Sequence, residues 1–192
     1  MFHRTGYDSG LSATWLERLR RPRQLVASGF TLPLTIEIGG STGAGPTSLA
    51  AFDAALRSLG VGDANLIRLS SVIPPRARLR RMGRVGQPID WGDRLYCVYA
   101  VRHAGKRGER AAAGMGWTVR DDGSGAGLFV EHEAETAEEV EELVRSSLAD
   151  MTRHRPGGFG PVQVCTSETR SDGGPACALV LAAYAARGWG RV

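Results

Sequence analysis

The chain has 192 residues, 42% of them hydrophobic and 23% charged, a length that suits one domain with a sizeable core and a balance ordinary for a globular protein. Its longest apolar stretches, such as Ala176 to Ala186, fall well short of the roughly 18 residues of a membrane-spanning helix, and the opening Met-Phe-His-Arg lacks the apolar segment of a secretory signal. The net charge is +4, arginine supplies nearly all the positive charge, and nine arginines fall in two clusters, Arg18, Arg20, Arg21 and Arg23 and then Arg76, Arg78, Arg80, Arg81 and Arg84; without interleaved aromatics or a nucleic-acid module these read as solvated or intersubunit faces rather than nucleic-acid sites.

Residues 1–30 read as an N-terminal extension, partly flexible, with a short helix over 11–21 capped by Ser12 and ended by Pro22. From there on, residues 31–192 read as a single domain. Alternation of Leu34, Ile36 and Ile38 with Thr35 and Glu37 predicts a strand over 32–38. A glycine-rich loop, 39–47, follows, and then a helix over 47–59 with Leu49, Phe52, Leu56 and Leu59 on one face and Gly60 closing it. Asn65 to Ile73 is the next strand, stopped by Pro74-Pro75, and a basic loop follows it. Strands are predicted over 94–102, 111–119 and 126–133, the last two flanking the turn 121–125. The clearest helix runs from Thr136 to His154: Thr136 and Glu139 form a capping box, and Val140, Leu143, Val144, Leu148 and Met151 make one stripe. Residues 162–169 and 176–186 read as a closing hairpin. Many strands with two helices far apart in sequence make an α+β fold with helices on the faces of sheets.

Most chemical motifs fail. The loop over 39–47 matches neither GxGxxG nor GxxxxGK[ST], so its glycines are read as a flexible turn that lets the backbone approach another group closely. His3, His103, His132 and His154 have no metal-ligand spacing, so no metal is expected. No GxSxG elbow is present. Cys97, Cys165 and Cys177, odd in number and widely spaced, fit neither disulfides nor a CxxC site and are expected to be buried thiols in a reducing cytoplasm. The pair Ser70-Ser71 stands apart from the second pair, Ser146-Ser147, by its context. It ends an apolar strand and is followed at once by Val-Ile-Pro-Pro, a setting in which a strained peptide bond can be attacked by its own serine hydroxyl.

Asn65-Leu-Ile-Arg-Leu-Ser-Ser-Val-Ile-Pro-Pro75 resembles the cleavage region of the pyruvoyl-dependent arginine decarboxylases, a family of self-cleaving proenzymes. Ala51-Phe-Asp-Ala-Ala-Leu56 with Gly60-Val-Gly62 resembles that family's first helix and the turn after it, and Gly127-Leu-Phe-Val-Glu131 its catalytic-acid strand. The three motifs fall in the family's order, and the resemblance runs from about residue 35 to residue 184.

The resemblance implies a four-layer αββα sandwich assembled as a trimer, or a dimer of trimers, with active sites between subunits. Cleavage between Ser70 and Ser71 would give a β chain, 1–70, and an α chain, 71–192. Ser71 would become the pyruvoyl group, the enzyme's covalent cofactor in place of pyridoxal phosphate, with Ser70 the new C-terminus. Asn65 matches the active-site asparagine, Asp53 the acid that holds the substrate guanidinium, and Glu131 the general acid. The substrate amine would form a Schiff base with the pyruvoyl ketone, carbon dioxide would leave, and Glu131 would reprotonate the α-carbon. A carboxylate at 53 suits a guanidinium, which is planar and always charged. The expected activity is conversion of arginine to agmatine in the cytoplasm. The basic run 76–84 departs from the family pattern and leaves two rivals: the same chemistry on another amino acid, or an uncleaved homologue acting as a basic binding or structural protein.

Overall fold

A computed structural model describes residues 33–189; the extension over 1–30 and its expected helix lie outside the described residues. The elements in chain order are β1 (Thr35–Ala44), α1 (Ser48–Leu59), β2 (Asn65–Arg68), β3 (Val72–Ile73), β4 (Arg78–Arg81), β5 (Arg94–Ala104), β6 (Arg110–Val119), β7 (Gly127–Ala134), α2 (Ala137–Arg153), β8 (Gln163–Arg170) and β9 (Ala176–Arg187). One sheet has the order β2-β5-β9-β1-β4, the other β3-β7-β6-β8.

Strand alternation sorts the apolar side chains into three layers. Odd residues of β9 and β5, among them Leu179, Leu181, Leu95 and Cys97, face Ala51, Ala55, Leu56 and Leu59 of α1. Even residues Val180, Ala182 and Tyr184 face Met115, Trp117 and Phe129 of the other sheet. The far side of that sheet, with Leu128 and Val130, is covered by Val140, Val144 and Leu148 of α2. The result is the expected α+β sandwich of helix, sheet, sheet and helix.

Both helices begin and end where their caps dictate. The Thr47 side chain accepts from Ala50 N–H, and Gly60 closes α1 in a left-handed conformation at φ 89°. Arg84 donates to the carbonyls of Arg57 and Ser58 and so covers the negative end of the α1 dipole. In α2 both halves of the Thr136–Glu139 capping box form.

The structure corrects the sequence reading at several places, and Leu143, expected on the apolar stripe of α2, is exposed. The glycine-rich segment is not a flexible turn: β1 continues through Gly39 and Gly43 to Ala44, paired antiparallel to β9. Close approach is nonetheless the reason for its glycines, because a Cβ at Gly43 would lie 2.2 Å from the Ala51 carbonyl oxygen. Leu49 is 76% exposed rather than part of the α1 face, and Ala51 and Ala55 make the contact that strand backbone so close permits. Part of the basic loop is strand: β4 runs parallel to β1 at the sheet edge. Residues 65–73 form two strands, β2 and β3, in different sheets. β8 and β9 likewise belong to different sheets, so they are not a hairpin: the turn after β8 carries the chain across the core.

Candidate active site

The break between β2 and β3 is where the chain changes sheets. β2 pairs parallel with β5, and Leu69 N–H still donates to the Cys97 carbonyl at 2.9 Å. Three residues later Val72 and Ile73 pair antiparallel with Leu128 and Gly127 of β7. Ser70 and Ser71 span the crossing. The Val72 N–H donates to the Ser70 carbonyl at 2.8 Å, closing a three-residue turn centred on Ser71. Phe129 N–H donates to the Ser71 carbonyl at 2.9 Å.

β7 points Phe129 and Glu131 into the space between the sheets. There the Ser71 hydroxyl meets the Glu131 carboxylate, with its Oγ 2.6 Å from Oε1 and 2.8 Å from Oε2. Both residues are half-buried, and sixty positions separate them in the chain. The hydroxyl, the Ser70 carbonyl beside it and a carboxylate able to accept a proton thus occupy one point in the fold.

Tyr184 of β9 enters the same region from the opposite sheet. Its hydroxyl donates to the Val72 carbonyl at 3.0 Å, and its ring packs edge-on to Phe129, with centroids 6.2 Å apart at 65°. Burial, and then the charge of Glu131, push the phenol above its ordinary range, so it remains a protonated donor. Sequence reading missed this residue. The single tyrosine stood in a near-continuous apolar strand, and only the packing of two sheets reveals what its hydroxyl meets.

The other two expected site residues lie elsewhere in the chain. Asp53 is exposed on α1 and ion-paired with Arg57 at 2.8 Å. The sheet containing β9 stands between α1 and the Ser71–Glu131 pair. Asn65 is exposed at the start of β2, and its Nδ2 donates to the Gly92 carbonyl at 2.7 Å. Within one chain, therefore, Ser70, Ser71 and Glu131 are brought together, and Asp53 and Asn65 do not join them.

The three cysteines are buried and unpaired. Burial pushes the Cys97 thiol up to about 12 and Cys177 up to about 11, and raises Cys165 in the same direction. They are structural thiols, as their apolar neighbours in the sequence suggested.

Residues 35–187 match the family model described as pyruvoyl-dependent arginine decarboxylase. Curated relatives bearing that name include proteins of Thermococcus kodakarensis, 35% identical over 79% of this chain and 95% of the relative, and of Methanococcus vannielii, 34% identical over 63% of this chain and 72% of the relative. A third, from Halobacterium salinarum, is 35% identical over 78% of this chain and 92% of the relative. With a match of this extent and a serine pair poised at the sheet crossing, the chain belongs to the pyruvoyl-dependent arginine decarboxylase family.

Proposed function

We propose that this chain cuts itself between Ser70 and Ser71 and then decarboxylates arginine to agmatine. The observation that carries the reading is the Ser71 hydroxyl held on the Glu131 carboxylate, beside a Ser70 carbonyl that already accepts the Val72 N–H. That N–H polarises the carbonyl under attack, as donors do at sites where an oxyanion develops.

Processing needs no oxidant. Ser71 Oγ adds to the Ser70 carbonyl carbon, the C–N bond breaks, and the Ser71 nitrogen takes up the proton, leaving an ester. Loss of the Ser71 α-proton then breaks the Cβ–Oγ bond and frees the Ser70 carboxylate. Water replaces the nitrogen of the resulting dehydroalanine, ammonia leaves, and residue 71 ends as a pyruvoyl group.

The surroundings of Ser71 fit that group. The carbonyl that follows it is already gripped by Phe129 N–H, and Glu131 stands within hydrogen-bond reach of the residue 71 side chain. The pyruvoyl ketone supplies an electrophile for the substrate amine and an electron sink as carbon dioxide leaves. Glu131 delivers the proton to the α-carbon, for which it has to be protonated in the substrate complex.

Asp53 holds the substrate guanidinium, and Asn65 belongs to the same site. Since the first sheet keeps Asp53 from Ser71 within one chain, a second copy supplies Asp53 and Asn65, and the working unit is a trimer, or a pair of trimers, with sites between subunits. Intact mass under denaturing conditions, before and after incubation with arginine and with the other amino acids, tests the reading. Two fragments meeting between 70 and 71, together with faster carbon dioxide release from arginine than from any other amino acid, are expected. A single uncut chain overturns the processing reading. Cut protein that prefers aspartate or a neutral amino acid overturns the substrate.

A further inference from the structure

The segment that must be held for self-cleavage is short and lightly tied. On its N-terminal side Leu69 is anchored to β5 of the first sheet. On its C-terminal side β3 is two residues long and Val72 is more than half exposed. Among the described residues, one side chain reaches the backbone of 70–73: Tyr184, whose hydroxyl donates to the Val72 carbonyl. The contact joins the sheets, since Tyr184 stands on β9 of the first and Val72 on β3 of the second. Its ring is fixed by Phe129, whose own N–H holds the preceding carbonyl, that of Ser71.

Two successive carbonyls, 71 and 72, are therefore clamped by Phe129 N–H and Tyr184 O–H. The turn closed by Val72 N–H on Ser70 lies immediately upstream. The peptide unit that Tyr184 holds, Val72–Ile73, meets at the Val72 Cα the Ser71–Val72 unit, which Phe129 holds and which carries the N–H on the Ser70 carbonyl; releasing the first lets Val72 turn about its Cα and shifts that N–H and, through Ser71, the attacking hydroxyl. We propose that Tyr184 is a positioning residue for self-cleavage: its hydrogen bond to the Val72 carbonyl holds the Ser70–Ser71–Val72 turn with the Ser71 hydroxyl aligned on both the Ser70 carbonyl and Glu131. This rests on the cleavage reading above. After the cut, the same bond holds the new N-terminus of the 71–192 fragment, which has lost its upstream anchor at Leu69. Reaction at residue 71 then depends on Tyr184 as well.

The test follows the disappearance of the intact 192-residue mass in freshly synthesised full-length protein. Tyr184→Phe keeps the ring against Phe129 and removes the hydroxyl alone. Its cleavage should slow by about tenfold, the rate equivalent of one hydrogen bond of about 1.4 kcal/mol. In the fraction that matures, kcat for arginine should fall severalfold with KM within about twofold, because the residue aligns the reacting group without touching substrate. Val180→Ala is the control: it removes core methyls from the same face of β9, lowers the melting temperature through packing, and should cleave within about twofold of wild type. Tyr184→Phe cleaving at the wild-type rate overturns the proposal. So does Val180→Ala slowing as much, since packing of β9 would then explain the effect, and so does a loss confined to KM. A wild-type chain that never cleaves overturns the cleavage reading itself and this inference with it.

Discussion

Glu131 meets Ser71 through both carboxylate oxygens, and an amide can imitate half of that. Glu131→Gln leaves one oxygen to accept the Ser71 hydroxyl but no acid to protonate a carbon. It should still cleave while losing about 10²- to 10⁴-fold in decarboxylation, seen as fragments by mass without carbon dioxide release. Asp53, across a sheet from the Ser70–Ser71 bond, should behave in the opposite way. Asp53→Asn should cut at the wild-type rate, with its loss appearing in KM for arginine and in preference over lysine, whose point charge fits a carboxylate fork less well. The thiols give a check on burial. Burial pushes the Cys97 thiol up to about 12 and Cys177 up to about 11 and raises Cys165 in the same direction, so the reactive thiolate is disfavoured at pH 8. Iodoacetamide should leave all three unmodified in native protein and alkylate them in guanidinium chloride.

At the scale of elements, the contact between β1 and α1 sets the thickness of the outer layer. Ala51 and Ala55 lie directly on glycine backbone, and the Ser41 hydroxyl donates to the Ala55 carbonyl at 2.8 Å. Gly43→Ala would put a methyl 2.2 Å from the Ala51 oxygen and 2.5 Å from the Ala55 nitrogen, so the helix must move. A loss of about 1–3 kcal/mol, measured by denaturant unfolding, is expected. Glycines in this run were legible as close-approach positions, but not the strand they sit in, because β-propensity counts them against it and pairing with β9 overrides that count. The same limit hid the break between β2 and β3. Periodicity sees one apolar run over 65–73; what divides it is that its halves pair with β5 in one sheet and β7 in the other. The Ser71 hydroxyl is presented by that change of sheet.

Cleavage at 70–71 would separate β1, α1 and β2 covalently from the rest of the molecule without loosening them. β1 lies between β9 and β4, both in the 71–192 fragment, and is registered to β9 from Glu37 to Ala44. Buried Ile36 and Ile38 add to that hold. Native mass spectrometry should therefore find both fragments together, parting only in denaturant. The proposed sharing of sites between copies has its own measurement. Asp53→Asn chains, weak at low arginine, and Glu131→Gln chains, weak throughout, should regain activity at low arginine when co-expressed. In a random mixture about a quarter of the interfaces combine an intact Glu131 with an intact Asp53, whereas sites contained within one chain would regain none.

The sequence by itself determined the family, through three ordered motifs, and the two helices with their caps, because capping and helical periodicity are local. It singled out Ser70-Ser71 by the apolar run and Pro-Pro on either side. What only the tertiary structure decided is non-local. Glu131 reaches Ser71 across sixty residues because β7 pairs with β3, and Tyr184 reaches Val72 because two sheets stack face to face. Such contacts depend on strand order and on which face each residue presents, and a one-residue change of register would turn Glu131 away from the serine.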